Sequence, residues 1–250
     1  MFKLVMNEVG VLRDSLDAIS ELVSEGTFKI GKDGVKLVAM DPANVAMVIF
    51  DLFSIAFTDY KVEEEVPITV NLEQLVKILK RARASDQVSL ELDKSGSRLK
   101  IAMIGAAKRY FSIPLIGESE GETKVPELGK KFTAKVEVDG DVVKDSVKDA
   151  EMISDSLVFE ATKDKFMMYT TGDTSEVRVE LTRDSPSLIS LDVTSDSKAK
   201  YSIEYLEKVL KAAKIADTLV IQFATDFPIR MDFKALDKLQ LSFIIAPRVD

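Results

Sequence analysis

Asp141, Asp145 and Asp149 stand four residues apart in DGDVVKDSVKDAE, a spacing that lines three carboxylates along one face of a helix. Paired carboxylates can hold magnesium or exchange protons with a substrate. The rest of the sequence argues against catalysis. None of the 250 residues is histidine or cysteine. This removes the commonest general base, thiol nucleophiles, zinc–thiolate sites, disulfides and every Ser-His-Asp arrangement. GKDG (31–34) and KSGS (94–97) have the form of hairpin turns, not of a GxxxxGK[ST] phosphate loop. The acidic stripe therefore reads as a solvated or ion-paired face, and the chain as a non-enzyme without cofactor or metal. The rival is a magnesium-dependent nuclease built on the stripe.

The cations form a second pattern. On a helical wheel Leu72, Leu75, Val76 and Leu79 share one face, Lys77 and Arg81 point away from it, and Lys80 lies on the flank. Ile203, Leu206, Leu210 and Ala213 make the same inward face in a second helix, with Lys208 outward and Lys211 on the flank. Lys144 and Lys148 share a face of a third. Rows of lysine without interleaved aromatics suit phosphate contacts rather than base stacking. The plainer alternative is a solvated helix surface.

The two lysine helices belong to a longer match. NLEQLVKILKRARASDQVSLEL (71–92) and SIEYLEKVLKAAKIADTLVIQF (202–223) align without a gap, with seven of 22 residues identical, 131 positions apart. At the same offset the stretch from Leu12 falls on that from Val143, with Asp14/Asp145, Ser15/Ser146, Phe28/Phe159, Lys32/Lys163 and Asp33/Asp164 coincident. One offset serving separated segments indicates a duplicated domain. Each half reads as two helices (10–24 and 72–83; 141–153 and 202–214) among short strands joined by hairpins. The expected fold class is α+β: two similar domains of antiparallel sheet with two helices each. GESEGETKVPELGKK (117–131), rich in Gly and charge, separates domain 1–116 from domain 132–250. The plain reading is a domain linker; the sharper one, motivated by its apolar island Val-Pro-Glu-Leu, is a linker that also docks partners.

With 46 % hydrophobic and 30 % charged residues the chain has material for a substantial core and a soluble surface. Every apolar run falls short of the roughly 18–20 residues that span a bilayer, and MFKLVMNEVG lacks a signal-peptide pattern, so an intracellular protein without membrane contact is expected. The net charge of −8 argues against a protein that coats nucleic acid, unless its cations are gathered on one surface.

VAMDPANVAMV (38–48), NLEQLVKILKRA (71–82), the linker's Val-Pro-Glu-Leu and IIAPRVD (244–250) together resemble the proliferating cell nuclear antigen (PCNA) family of DNA sliding clamps, its archaeal type above all. The resemblance implies a homotrimer, a pseudo-sixfold ring with helices lining the hole. It implies duplex DNA as a sequence-independent partner, in the cytoplasm or nucleoid of an archaeon or the nucleus of a eukaryote. It further implies DNA polymerase, the clamp loader replication factor C, flap endonuclease, DNA ligase and other clients carrying a PCNA-interacting peptide. The alternative is a subunit of a heterotrimeric or checkpoint clamp. Carried over by position, the DNA-facing cations are Lys77, Lys80, Lys148 and Lys211, followed by Arg13, Lys144, Lys208 and Lys214. The client-peptide pocket falls on Met40, Asn44, Val45, Ala46, Met47, Val125, Pro126, Leu128, Pro228, Ala246, Pro247 and Arg248. The subunit joint falls on strands 108–115 and 175–183, with Tyr110, Ile113, Val177 and Val179. Arg81, Arg83 and Arg109 are there matched across the joint with Asp141, Asp145 and Asp149, and Arg81 has a competing assignment to the DNA side.

Overall fold

The computed structural model describes residues 1–117, 123–235 and 237–249. The part of the expected linker at 118–122 lies outside them. The chain divides into two compact units, Met1–Pro42 with Val48–Val125 and Ala235–Leu241, and Ala43–Met47 with Pro126–Lys234 and Ser242–Asp250.

The first unit opens with β1 (Phe2–Met6), α1 (Val9–Ser20), β2 (Glu25–Ile30), β3 (Gly34–Met40) and β4 (Ala46–Phe53), which belongs to it from Val48 onward. It continues with β5 (Asp59–Val62), β6 (Val66–Asn71), α2 (Leu72–Leu79), β7 (Gln87–Leu92), β8 (Arg98–Ile104) and β9 (Lys108–Pro114). One sheet has the order β5-β1-β7-β8-β9, and β6-β2-β3-β4 are neighbours in another. All the registered pairs are antiparallel. Helices α1 and α2 pack on each other. They bury Leu12, Leu16, Ile19 and Val9 from one and Leu72, Leu75, Val76 and Leu79 from the other. Asn71 caps α2 as its position predicts, its Oδ1 accepting the Gln74 N–H at 2.8 Å.

The second unit runs β10 (Ala134–Asp139), α3 (Gly140–Glu151), β11 (Ser156–Ala161), β12 (Lys165–Thr171), β13 (Glu176–Thr182) and β14 (Leu188–Val193). Then come β15 (Ser197–Ser202), α4 (Ile203–Leu210), β16 (Thr218–Phe223), β17 (Ile229–Ala235) and β18 (Leu239–Ile245), which belongs to it from Ser242 onward. One of its sheets has the order β13-β12-β11-β15, and β14-β10-β16-β17-β18 are neighbours in another. Helices α3 and α4 pack together as α1 and α2 do. The repeat holds to the residue over the four helices and six of the nine strand pairs. Both ends of α1 and α3 differ by 131 (140−9, 151−20), as do both ends of α2 and α4 (203−72, 210−79). The pairs β2/β11, β3/β12, β6/β15, β7/β16, β8/β17 and β9/β18 keep the same shift.

Three differences from the sequence reading have one cause. Helices read as 10–24, 72–83 and 202–214 end at Ser20, Leu79 and Leu210. Beyond each end the backbone tightens to i→i−3 hydrogen bonds, as in Leu22 N–H to Ile19 O (3.0 Å) and Ala82 N–H to Leu79 O (3.0 Å). After α4 this becomes a 3₁₀ turn, Lys211–Lys214, in which Ala212 is fully buried and Ala213 only half-buried, the reverse of the wheel. The helix read as 141–153 spans Gly140–Glu151, capped by the Asp139 carboxylate on Asp141 N–H at 2.9 Å.

Candidate nucleic-acid and partner interfaces

Burial of the apolar faces of α2 and α4 leaves their lysines outside. On α2 the Lys77 side chain is 78 % exposed and lies 3.7 Å from Glu73, one turn earlier. On α4 Lys208 makes the equivalent i,i+4 pair with Glu204 at 2.6 Å, so the repeat extends to an ion pair. Lys208 is more covered, its Nζ lying 5.2 Å from the Tyr205 ring centroid. Lys80 reaches across to Asp17 of α1 at 2.7 Å. Lys211 and Lys214 are exposed in the 3₁₀ turn. On α3 Lys148 is exposed and 3.4 Å from Asp145, and Lys144 is half-buried. Arg13 of α1 is turned to its neighbour Asp14, Nε to Oδ1 2.8 Å. Exposed ion pairs are worth only about 0–1 kcal/mol, so an incoming phosphate can displace these carboxylates.

Asp141, Asp145 and Asp149 are all exposed on α3. Among the described residues no group of three or more acidic side chains converges as a metal site. The stripe is a linear surface feature, interleaved with Lys144 and Lys148, and Glu151 closes the helix.

Several of the residues expected at the client pocket fall in the second unit. Ala246 N–H donates to Val45 O at 2.9 Å, bringing the C-terminal segment against the 43–47 segment. Asn44 is exposed, in the left-handed backbone region at φ 58°. Ala46 and Met47 are buried at 1 % and 4 % exposure, so they underlie any surface here rather than form it. Pro228, Ala246 and Pro247 are half-buried. Leu128 is half-buried where its N–H meets Pro126 O at 3.0 Å, and Pro126 is exposed. Arg248 turns to Asp155, Nη1 to Oδ2 2.6 Å. Its guanidinium holds the Asp155 carboxyl below the usual carboxylate range. Met40 and Val125 cluster with the first unit, at 36 % and 42 % exposure.

At the assigned joint, β9 ends the five-stranded sheet and β13 ends the four-stranded one. Such edges leave one row of backbone groups unpaired. Tyr110 is 71 % exposed, Val177 and Val179 are half-buried, and Ile113 is 1 % exposed, a core residue of its own unit. Arg81 and Arg83 are exposed. Arg109 is already engaged within its chain, donating to the Arg81 carbonyl at 2.9 Å and to the Asp86 carboxylate. The sequence reading did not assign Asp86 to a site. Its signal was identity with Asp217 in the repeat, which acquires weight only from the burial of Asp86.

Two units of antiparallel sheet, each carrying a helix pair with outward cations and repeated at one offset, define the DNA-clamp fold. Family models for the N-terminal and C-terminal domains of proliferating cell nuclear antigen match residues 1–111 and 125–248. The chain belongs to the proliferating cell nuclear antigen family of DNA polymerase sliding clamps. It is 39 % identical over 241 residues to the DNA polymerase sliding clamp of Nanoarchaeum equitans, covering 96 % of each chain. It is 38 % identical over 249 residues to that of Pyrococcus furiosus, covering 100 % of this chain and 99 % of the relative. The crystal structure of PCNA from Thermococcus kodakaraensis superposes with a TM-score of 0.93 at 31 % identity, covering 99 % of this chain and 100 % of the other. PCNA of A. fulgidus, with the C-terminal region of FEN-1 bound, gives a TM-score of 0.89 at 29 % identity, covering 100 % and 99 %.

Proposed function

We propose that three copies of this chain close into a homotrimeric, pseudo-sixfold ring around duplex DNA, in which domains 1–116 and 132–250 are joined by 117–131. The ring acts inside the cell as a processivity factor without enzymatic activity or cofactor. It tethers DNA polymerase, flap endonuclease, DNA ligase and other peptide-bearing clients after loading by replication factor C. The observation that carries this reading is the recurrence of Lys77/Lys80 and Lys208/Lys211 at one offset, on helices whose opposite faces are buried. A ring needs the same wall element six times, and a chain carrying it twice supplies six copies from three subunits. The acidic net charge is then no obstacle, because weak, sequence-independent phosphate contacts permit sliding.

Lys77, Lys80, Lys148 and Lys211 face the DNA, supported by Arg13, Lys144, Lys208 and Lys214. Within the second unit the client pocket is built on Leu128, Pro126, Pro228, Asn44, Val45 and the C-terminal Ala246–Arg248, with Ala46 and Met47 buried; Met40 and Val125 are assigned to client binding by family position alone. The joint pairs β9 of one copy with β13 of the next. The test is native mass measurement at low micromolar concentration, where three chains are expected. A single chain that assembles only with other clamp subunits would replace the homotrimer by the heterotrimeric reading.

A further inference from the structure

The edge strand β9 carries a polar brace. Asp86 is 3 % exposed, one residue before β7. Its Oδ2 accepts the Arg83 N–H at 2.8 Å and the Nη2–H of Arg109, near the start of β9. The Nη1–H of Arg109 donates to Arg81 O at 2.9 Å. These bonds tie the 81–86 connection between α2 and β7 to the beginning of β9. Gly105, which follows β8, completes the arrangement, because a Cβ there would collide with the Asp86 carboxylate. Among the described residues the brace does not recur in the second unit, although its aspartate does. At +131 Asp217 is exposed, Gln240 replaces Arg109 and Leu236 replaces Gly105.

A buried carboxylate is tolerated only when paired, so Asp86 fixes Arg109 in place. A guanidinium has five N–H donors, and these bonds use two. The remainder stay on the arginine at an open sheet edge. We propose that Asp86, with Gly105, is a positioning residue of the subunit joint. It holds the β9 edge in register and presents the free donors of Arg109 to the carboxylates of α3 on a second copy of this chain. The proposal rests on the ring reading above and adds residues that act through Arg109 rather than across the joint themselves.

The test is equilibrium sedimentation of the full chain over a concentration and salt series. Asp86→Asn keeps an acceptor for Arg83 N–H and removes the charge. It is expected to raise the concentration of half-dissociation at least tenfold at low salt, with the circular dichroism of the folded chain retained. Arg109→Lys keeps the charge but cannot make both fork bonds, and is expected to act in the same direction. Combined with charge reversal of Asp145 and Asp149, Asp86→Asn should add little, because both act through one interaction. A purely structural role would lower the melting temperature and leave the two effects additive. A wild-type trimer whose Asp86→Asn variant dissociates within twofold of it overturns the brace and leaves the ring reading intact. Full additivity in the cycle does the same. A wild-type chain that is monomeric throughout overturns both. If Asp86→Asn does not fold, Arg109→Lys, at a partly exposed site, is judged by the same criteria.

Discussion

The two units share one order of helices and strands but fill it differently. In the second, Phe159, Phe166, Tyr201 and Phe223 form an aromatic cluster, with ring centroids 5.7–6.4 Å apart, every member fully buried. Subtracting 131 from each gives Phe28, Val35, Val70 and Leu92. Three aromatics have become aliphatics. The first unit compensates in part with a Phe28–Phe50 edge-to-face pair, at 6.2 Å. It also retains an apolar cavity of about 30 Å³, against which Phe28 and Val35 both lie. One plan thus supports two packing solutions, and the difference lies in side-chain volume, to which interiors are sensitive at the scale of a methylene.

The largest effect is expected from forcing the second solution toward the first. Phe166→Val removes most of a ring from the aromatic cluster and should destabilise the second unit by about 2–4 kcal/mol. The converse, Val35→Leu, should stabilise the first by about 0.5–1 kcal/mol by filling its cavity. Hydrogen exchange resolved along the chain assigns each change to its unit. Equal costs for Phe166→Val and for Val35→Ala would show that the two cores are packed alike after all.

At the helix surfaces the expectation is equality rather than difference. Reversing Lys77 and Lys80 to Glu, or Lys208 and Lys211 to Glu, should weaken DNA retention and polymerase stimulation comparably and leave the oligomer intact. Each phosphate that is no longer neutralised should lower the slope of log affinity against log salt by about 0.9. A defect from one pair alone would confine DNA binding to one half of the chain.

The proposed client pocket comes next; its C-terminal segment lies against 43–47 within the second unit, Ala246 N–H donating to Val45 O. Leu128→Ala should weaken a client peptide about tenfold by calorimetry, the loss of an apolar anchor worth roughly 1.5–3 kcal/mol. Met47→Ala is the poorer probe because Met47 is buried and its loss also unsettles the fold. Unchanged affinity in Leu128→Ala removes that residue from the pocket.

Sequence periodicity carried far here for a physical reason. The apolar faces of α2 and α4 and the Asn71 cap are local, so spacing exposes them, and the duplication allowed each half to check the other. What escaped was non-local or depended on helix ends. Lys80 meets Asp17 across 63 positions and Arg109 meets Asp86 across 23, distances at which no periodicity operates. Where helices tighten into 3₁₀ turns, the wheel chose Ala213 over Ala212 because it assumed 100° per residue beyond Leu210. The short β5 (DYKV) offers four half-buried or exposed residues and little alternation, so periodicity does not mark it.

The smallest predicted effect concerns a carboxylate pair between α3 and α4. Burial against the neighbouring helix, and then the charge and hydrogen bonding of Glu151, push the Glu207 carboxyl above its ordinary range, while Lys211 pulls it down in part. The equivalent positions of the first unit carry no such pair, since Ser20 and the buried Val76 stand where Glu151 and Glu207 do. A carboxyl whose folded value is raised favours folding when protonated, and this contribution is lost as pH rises through the folded value. Glu207→Gln mimics the protonated form at every pH. It should therefore raise the melting temperature of the second unit slightly at neutral pH, with the gain shrinking to nothing as pH falls below the ordinary carboxylate range. The first unit, followed by hydrogen exchange in the same samples, should not respond. A gain that persists unchanged at acid pH would mean that the substituted amide merely packs better, and that the two carboxylates do not repel.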